Sequence, residues 1–252
     1  MTAPPQPSRR SGPGRRAVLL SAGGLAAGAA AASAGWAMSG SPAAAAAPPG
    51  PATIAPDDDL MREHGVLKRV LLCYREMTAR IQAGGPLDAD DLQDAALIIH
   101  DYIEGFHEGL EEGYVFPRLV SAGQLTGTVT TLLVQHARGR VITQYLLREA
   151  TATGVASPGT RARLAAAMQA FDRMYQPHEA REDTVVFPAF RQILPAGELA
   201  DLGQHFADLE HQQFGTGEFT AMVARVASIE QNLGIYDLAQ FTPQVSQYTP
   251  PA

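Results

Sequence analysis

Six side chains of the types that hold metal ions recur in this chain at repeated spacing. His107-Glu108-Gly109-Leu110-Glu111-Glu112-Gly113-Tyr114-Val115-Phe116-Pro117 aligns with His178-Glu179-Ala180-Arg181-Glu182-Asp183-Thr184-Val185-Val186-Phe187-Pro188. Both read H-E-x-x-E-acid-x-x-V-F-P, offset by 71, while His64 and His136 are offset by 72. Each half thus supplies one His and, 42 or 43 residues later, an H-x-x-x-E pair. On a helix an i, i+4 pair shares one face and points into the same space. A lone carboxylate buried among apolar side chains is costly unless a cation compensates it. Two carboxylates and four imidazoles converging in one core therefore predict a metal centre. A symmetric six-ligand set suits two metals better than one. Imidazole with carboxylate and no thiolate suits iron, manganese or zinc.

The elements that must position these groups are helical throughout, with no alternating strand pattern. A first helix opens at Asp57–Asp59, read as its cap, and carries Leu67, Val70, Leu71, Tyr74, Met77 and Ile81 on one stripe. Gly84-Gly85-Pro86 ends it. A second opens on Asp88, Asp90 and Asp91, carries Leu92, Ala96, Ile99, Ile103, Phe106 and Leu110, and stops near Pro117. The third, from Thr126 to Ala150, turns Val129, Leu132 and Leu133 inward. After a turn at Gly154–Gly159, the fourth shows Leu164, Met168, Phe171, Tyr175, Val185 and Val186, ending by Pro188. Short loops between long helices imply antiparallel neighbours, so the expectation is an all-α, up-down, antiparallel four-helix bundle. Two further helices, near Gly197–Phe214 and Glu218–Leu233, precede an irregular tail.

The doubled motif resembles the bacterial hemerythrin-like, HHE cation-binding family over roughly Asp57 to Phe190. That resemblance implies a non-haem di-iron centre in a four-helix bundle which binds or senses O2 or a related small ligand (NO, peroxide). Matched by position, the implied metal ligands are His64, His107, Glu111, His136, His178 and Glu182, with Glu108 as a candidate seventh. Oxygen carriers of this type place two histidines four apart on the third helix, whereas here Arg140 follows His136. Two other readings stay open, a peroxidase- or oxidase-like di-iron enzyme, and iron handling or storage. No catalytic acid or base is assigned, so the reading leans away from an enzyme. His100 reads as an outer-turn residue or a group orienting a ligand. His205 and His211 fall on the fifth helix, and Cys73 reads as a buried thiol.

Composition narrows the classes. The chain has 252 residues, 19 basic, 26 acidic and one cysteine. A single cysteine excludes a disulfide scaffold, a Cys-based zinc site and a conventional iron–sulfur centre. The first 47 residues hold four arginines and no acid, so the body is strongly acidic and no nucleic-acid partner is expected. Arg15-Arg16-Ala17-Val18-Leu19-Leu20 resembles a twin-arginine export signal, although Gly14 replaces the usual Ser or Thr. Its apolar stretch is mostly Ala and Gly, poor for a stable membrane span. The expected organisation is a signal peptide over 1–47, a linker over 48–56, the bundle over 57–190, and a C-terminal extension over 191–252. The implied partners are the export machinery and a small molecule, and the implied location is periplasmic or extracellular.

Overall fold

The computed structural model describes residues 54–245. The twin-arginine-type segment and most of the linker lie outside the described residues. Every regular element among them is helical, as the 3.6-residue periodicity predicts. We number seven helices. Helix α1 is Pro56–Gln82, α2 is the continuous run 89–121, and α3 is Thr126–Glu149. Helix α4 is Ala152–Ala156, α5 is the run 158–193, α6 is Ala196–Phe214 and α7 is Glu218–Asn232. None of the described helices is long and apolar enough to cross a membrane.

The start of α1 differs from expectation. Its N-cap is Ala55 with no side-chain hydrogen bond, and Pro56 takes the first turn, where a missing N–H costs nothing. Asp57 and Asp58 instead pair with Arg191, and Asp59 pairs with Arg62. Asp88 does cap α2, accepting a hydrogen bond from the Asp90 N–H at 2.8 Å. Gly84, at φ 70°, closes α1 in the left-handed region where glycine is unstrained. The predicted turn at 154–159 holds the last residues of α4 and the first of α5.

Two prolines read as helix stops are carried through. Helix α2 continues past Pro117 to Ser121, and α5 past Pro188 to Ile193. In both, a π-helical turn precedes the proline, at Glu111–Val115 and Glu182–Val186. The Phe116 N–H reaches back to the Glu111 carbonyl, and the Phe187 N–H to the Glu182 carbonyl. The widened turn places the proline where its missing donor is absorbed. The repeated V-F-P is thus the signature of a repeated π turn, each beginning on a site glutamate. A longer π-helical stretch, Ile98–His107, leads into the first H-x-x-x-E pair only.

Helix α1 packs along α2 and α5, and α3 packs along the same two. Their shared core is apolar and aromatic, with Leu67, Tyr74, Ile99, Phe116, Phe171 and Phe187 fully buried. Each such side chain contributes about 1.5–3 kcal/mol relative to exposure. Leu133 departs from its predicted stripe, being 40% exposed while Val129 and Leu132 are buried. Helices α6 and α7 lie on α1 and α2 and share that core through Phe206, Val226 and Ile229. Arg69 of α1 grips Glu230 of α7 with two hydrogen bonds of 2.9 and 2.5 Å.

Candidate metal centre

Four helices each deliver one histidine to the middle of this core. His64 comes from α1, His107 from α2, His136 from α3 and His178 from α5, and all four are at most 3% exposed. Their Nε2 atoms face inward in two pairs. His64 and His107 approach to 3.0 Å, and His136 and His178 to 3.2 Å. Between the pairs lie Glu111 and Glu182, both 0% exposed. Glu111 turns one oxygen toward each pair, Oε1 to His107 at 3.6 Å and Oε2 to His136 at 3.4 Å. Glu182 Oε2 lies 3.1 Å from His178 and 3.4 Å from His64.

All four carboxylate oxygens of Glu111 and Glu182 are buried without a hydrogen-bond partner. Such orphaned acceptors are costly, and a cation is the partner whose charge and lone-pair demand they match. His64, His107 and Glu111 bring one donor atom each within 4.8 Å of one another, as do His136, His178 and Glu182. These buried clusters can hold metal ions, and the six predicted ligands come together.

The outer nitrogens complete the arrangement. His64 Nδ1 donates to Asp183 at 2.7 Å, His107 Nδ1 to Glu63 at 2.8 Å, and His136 Nδ1 to Glu112 at 2.9 Å. His178 Nδ1 donates to the Gln135 amide oxygen at 2.9 Å. An acceptor behind Nδ1 fixes the tautomer with the Nε2 lone pair turned inward, ready for a cation. None of these four partners was assigned a role from sequence. Asp183 and Glu112 each follow one of the two central glutamates, and Glu63 and Gln135 each precede a site histidine. Extending the 72-residue alignment by one position would have exposed the second pair.

Glu108 stands apart from the six. Tyr175 donates to its Oε1 at 2.6 Å, and Arg140 holds its Oε2 at 2.7 Å. It faces the Nδ1 side of His136, at 3.9 Å. With Glu112 and His136 it forms a third group of donor spacing, but Arg140 reaches Glu112 as well, at 2.8 Å. The guanidinium already answers both carboxylates there. Arg140 therefore serves as a counter-ion. Lys68 is its counterpart on α1, 3.3 Å from Asp183.

Titration follows from these contacts. Burial pushes the Glu111 carboxyl well above the usual range, and the charge of Glu182 adds to the push. Burial also opposes the charge on Glu182, but the close approach of His178 and His64 outweighs it and holds that carboxyl low. Burial drives His107 and His136 down. It acts against His64 too, yet Asp183 and Glu182 prevail and raise its pKa to about 9. Burial lifts Glu108 to about 8 and Glu179 to about 7.

Outside the centre, His100 is 47% exposed beside Asp101, and His205 bonds the Tyr114 hydroxyl at 2.9 Å. Cys73 is buried, and burial pushes its thiol up to about 12, as for an inert structural thiol.

Gly139 is the tightest packing point near the site. A Cβ there would lie 2.1 Å from the Tyr175 hydroxyl oxygen. Gly139→Ala should therefore displace Tyr175 from Glu108 and lower the unfolding free energy by about 1–3 kcal/mol. Urea unfolding of the single variant, and of a Gly139→Ala/Tyr175→Phe double variant that recovers part of the loss, checks this.

Uncharacterized proteins of Mycobacterium tuberculosis and Mycobacterium bovis are each 50% identical to this chain over 190 residues, covering 75% of it and 74% of the relative. No family model and no solved structure matches it.

Proposed function

We propose, for a chain that belongs to one family with these uncharacterized mycobacterial proteins, a non-haem di-iron protein that binds or senses O2 or a related small ligand. Its scaffold in this reading is an antiparallel four-helix bundle of hemerythrin-like type, formed by α1, α2, α3 and α5. One observation carries the reading. Four inward Nε2 atoms stand in two pairs, with the two orphaned carboxylates of Glu111 and Glu182 between them.

His64 and His107 would hold one ion, His136 and His178 the other, with Glu111 and Glu182 shared. Iron in such a set, with coordination left open, supplies reversible binding of a diatomic and one-electron exchange. The chain's own residues prepare that chemistry. Asp183, Glu63, Glu112 and Gln135 orient the imidazoles. Phe187 stacks on His64 at 5.6 Å and Phe116 on His136 at 5.7 Å, which keeps water from those faces. The twin-arginine-like leader supports export, with iron loaded before transit.

The Tyr175–Glu108 pair favours a second reading, a peroxidase- or oxidase-like enzyme. Beside a metal pair in an oxidised state, which would accept the electron, the buried Tyr175 phenol would supply one reducing equivalent, with Glu108 placed to take its proton.

Purified protein should hold two irons per chain by elemental analysis. Mixing the reduced form with O2 should give a stable charge-transfer band. Rapid bleaching with peroxide consumption supports the enzyme, and failure to retain any metal refutes both.

A further inference from the structure

The two halves of the centre bring the same histidines and glutamates together, and a carboxylate stands behind three of the four imidazoles; the fourth, His178, differs in its outer partner and in what covers it. In the His64/His107 half both outer nitrogens meet carboxylates, Asp183 and Glu63. In the His136/His178 half one meets Glu112 and the other the neutral Gln135 amide. A carboxylate behind an imidazole makes it a stronger donor, and such outer partners are commonly worth 10–100-fold in metal affinity.

Cover differs at the same place. A cleft of about 240 Å³ between α3 and α5 reaches His178 and Gln135, with Thr131, Pro177 and Arg181 at its exposed rim. By the 71–72 offset these rim positions correspond to Asp59, Phe106 and Leu110, all buried. Helices α6 and α7 close that side, where Phe214 packs on Phe106 at 5.4 Å and on Tyr102 at 5.9 Å. The counterpart of half-buried Gln135 is Glu63, 1% exposed.

We propose that the two positions are inequivalent: His64/His107 retains its metal, while His136/His178 is the weaker, exchangeable position, reached through the α3/α5 cleft. Gln135 is the positioning residue that sets the difference. The inference rests on the metal-pair reading and adds which half is labile.

Titration of the metal-free full-length protein with Co(II), followed by its visible spectrum, tests it. Two steps should appear, the second about 10–100-fold weaker. Gln135→Glu should tighten only the second step, by about tenfold, and shift its bands, whereas Gln135→Ala should weaken that step alone. His136→Ala should keep the tight step and lose the weak one. Thr131→Trp, which fills the cleft mouth, should slow loss of the second cobalt to a chelator about tenfold while leaving the first unchanged. Equal steps in the wild type, or a Gln135→Glu effect on the first step, would overturn the inference while leaving the metal pair standing. No cobalt bound at all would refute the metal pair itself.

Discussion

Replacing Glu111 by alanine should empty both metal positions at once, and Glu111→Gln should weaken both. The two oxygens of this side chain face different histidine pairs, at 3.6 Å from His107 and 3.4 Å from His136. Truncation therefore removes a donor from each position and halves the carboxylate charge between them. Exchanging an outer partner alone commonly costs 10–100-fold, so loss of a direct donor should cost more than about 100-fold at both sites. Elemental analysis after dialysis should find two metals per wild-type chain and essentially none in Glu111→Ala. His107→Ala should also lose both, because the second ion then lacks its neighbour's support. Glu108→Ala is the discriminating control. Its carboxylate lies behind His136 and is held by Tyr175 and Arg140, so both metals should stay. Metal loss in Glu108→Ala would instead make it a direct ligand. Circular dichroism separates binding from folding, since Glu111→Gln keeps the volume and the helices.

The centre was legible because its chemistry is encoded in spacing. H-x-x-x-E fixes two donors on one helix face, and doubling the motif with matching flanks leaves little room for coincidence. What escaped lies one step outward. Glu63 and Gln135 act across helices, on His107 and His178; the 72-residue offset sets them in register with each other, but nothing along either helix says which histidine of another helix they meet. Reading proline as a breaker ends α2 and α5 too early. Pro117 and Pro188 follow π turns, whose extra residue shifts the apolar stripe out of its 3.6-residue register and so mimics a helix end. An apolar side chain alone does not fix the inward face: Leu133, Val134 and Val141 of α3 are all exposed. Helices α6 and α7 were legible as helices from their periodicity. That they cover one half of the centre and leave the other open depends on tertiary packing alone.

Chelation should turn the pH dependence of stability upside down. In the metal-free protein, Glu111 and Glu63 are raised well above their ordinary values by burial, Glu179 is raised to about 7, and Glu108 to about 8. A carboxyl whose folded pKa exceeds its unfolded value holds its proton longer when folded, so stability falls as pH climbs through the folded pKa. His64, raised to about 9 by Asp183 and Glu182 against burial, adds a loss of the same sign, present from its unfolded value near 6.5 upward. His107 and His136 are depressed by burial, and their contribution is complete once pH exceeds about 6.5. Glu182, Glu112 and Asp183 lie low and change nothing above neutrality. Every group still titrating between pH 7 and 9 therefore acts in one direction. Between its unfolded and its folded pKa each such group forfeits about 1.4 kcal/mol per pH unit, and its loss is complete once pH passes the folded value. Glu108, His64 and the higher carboxyls therefore carry the fall above pH 7, and the metal-free melting temperature should drop by several degrees across that window. The loaded protein should do the opposite up to about neutrality, because protons compete with metal for imidazole and carboxylate, and affinity for the folded state rises as they leave. Thermal melts with and without chelator at pH 6, 7, 8 and 9 should therefore diverge, the gap widening with pH. Parallel curves would mean that Glu111 and Glu182 find their compensation without a cation, and would remove the electrostatic reason for a metal here.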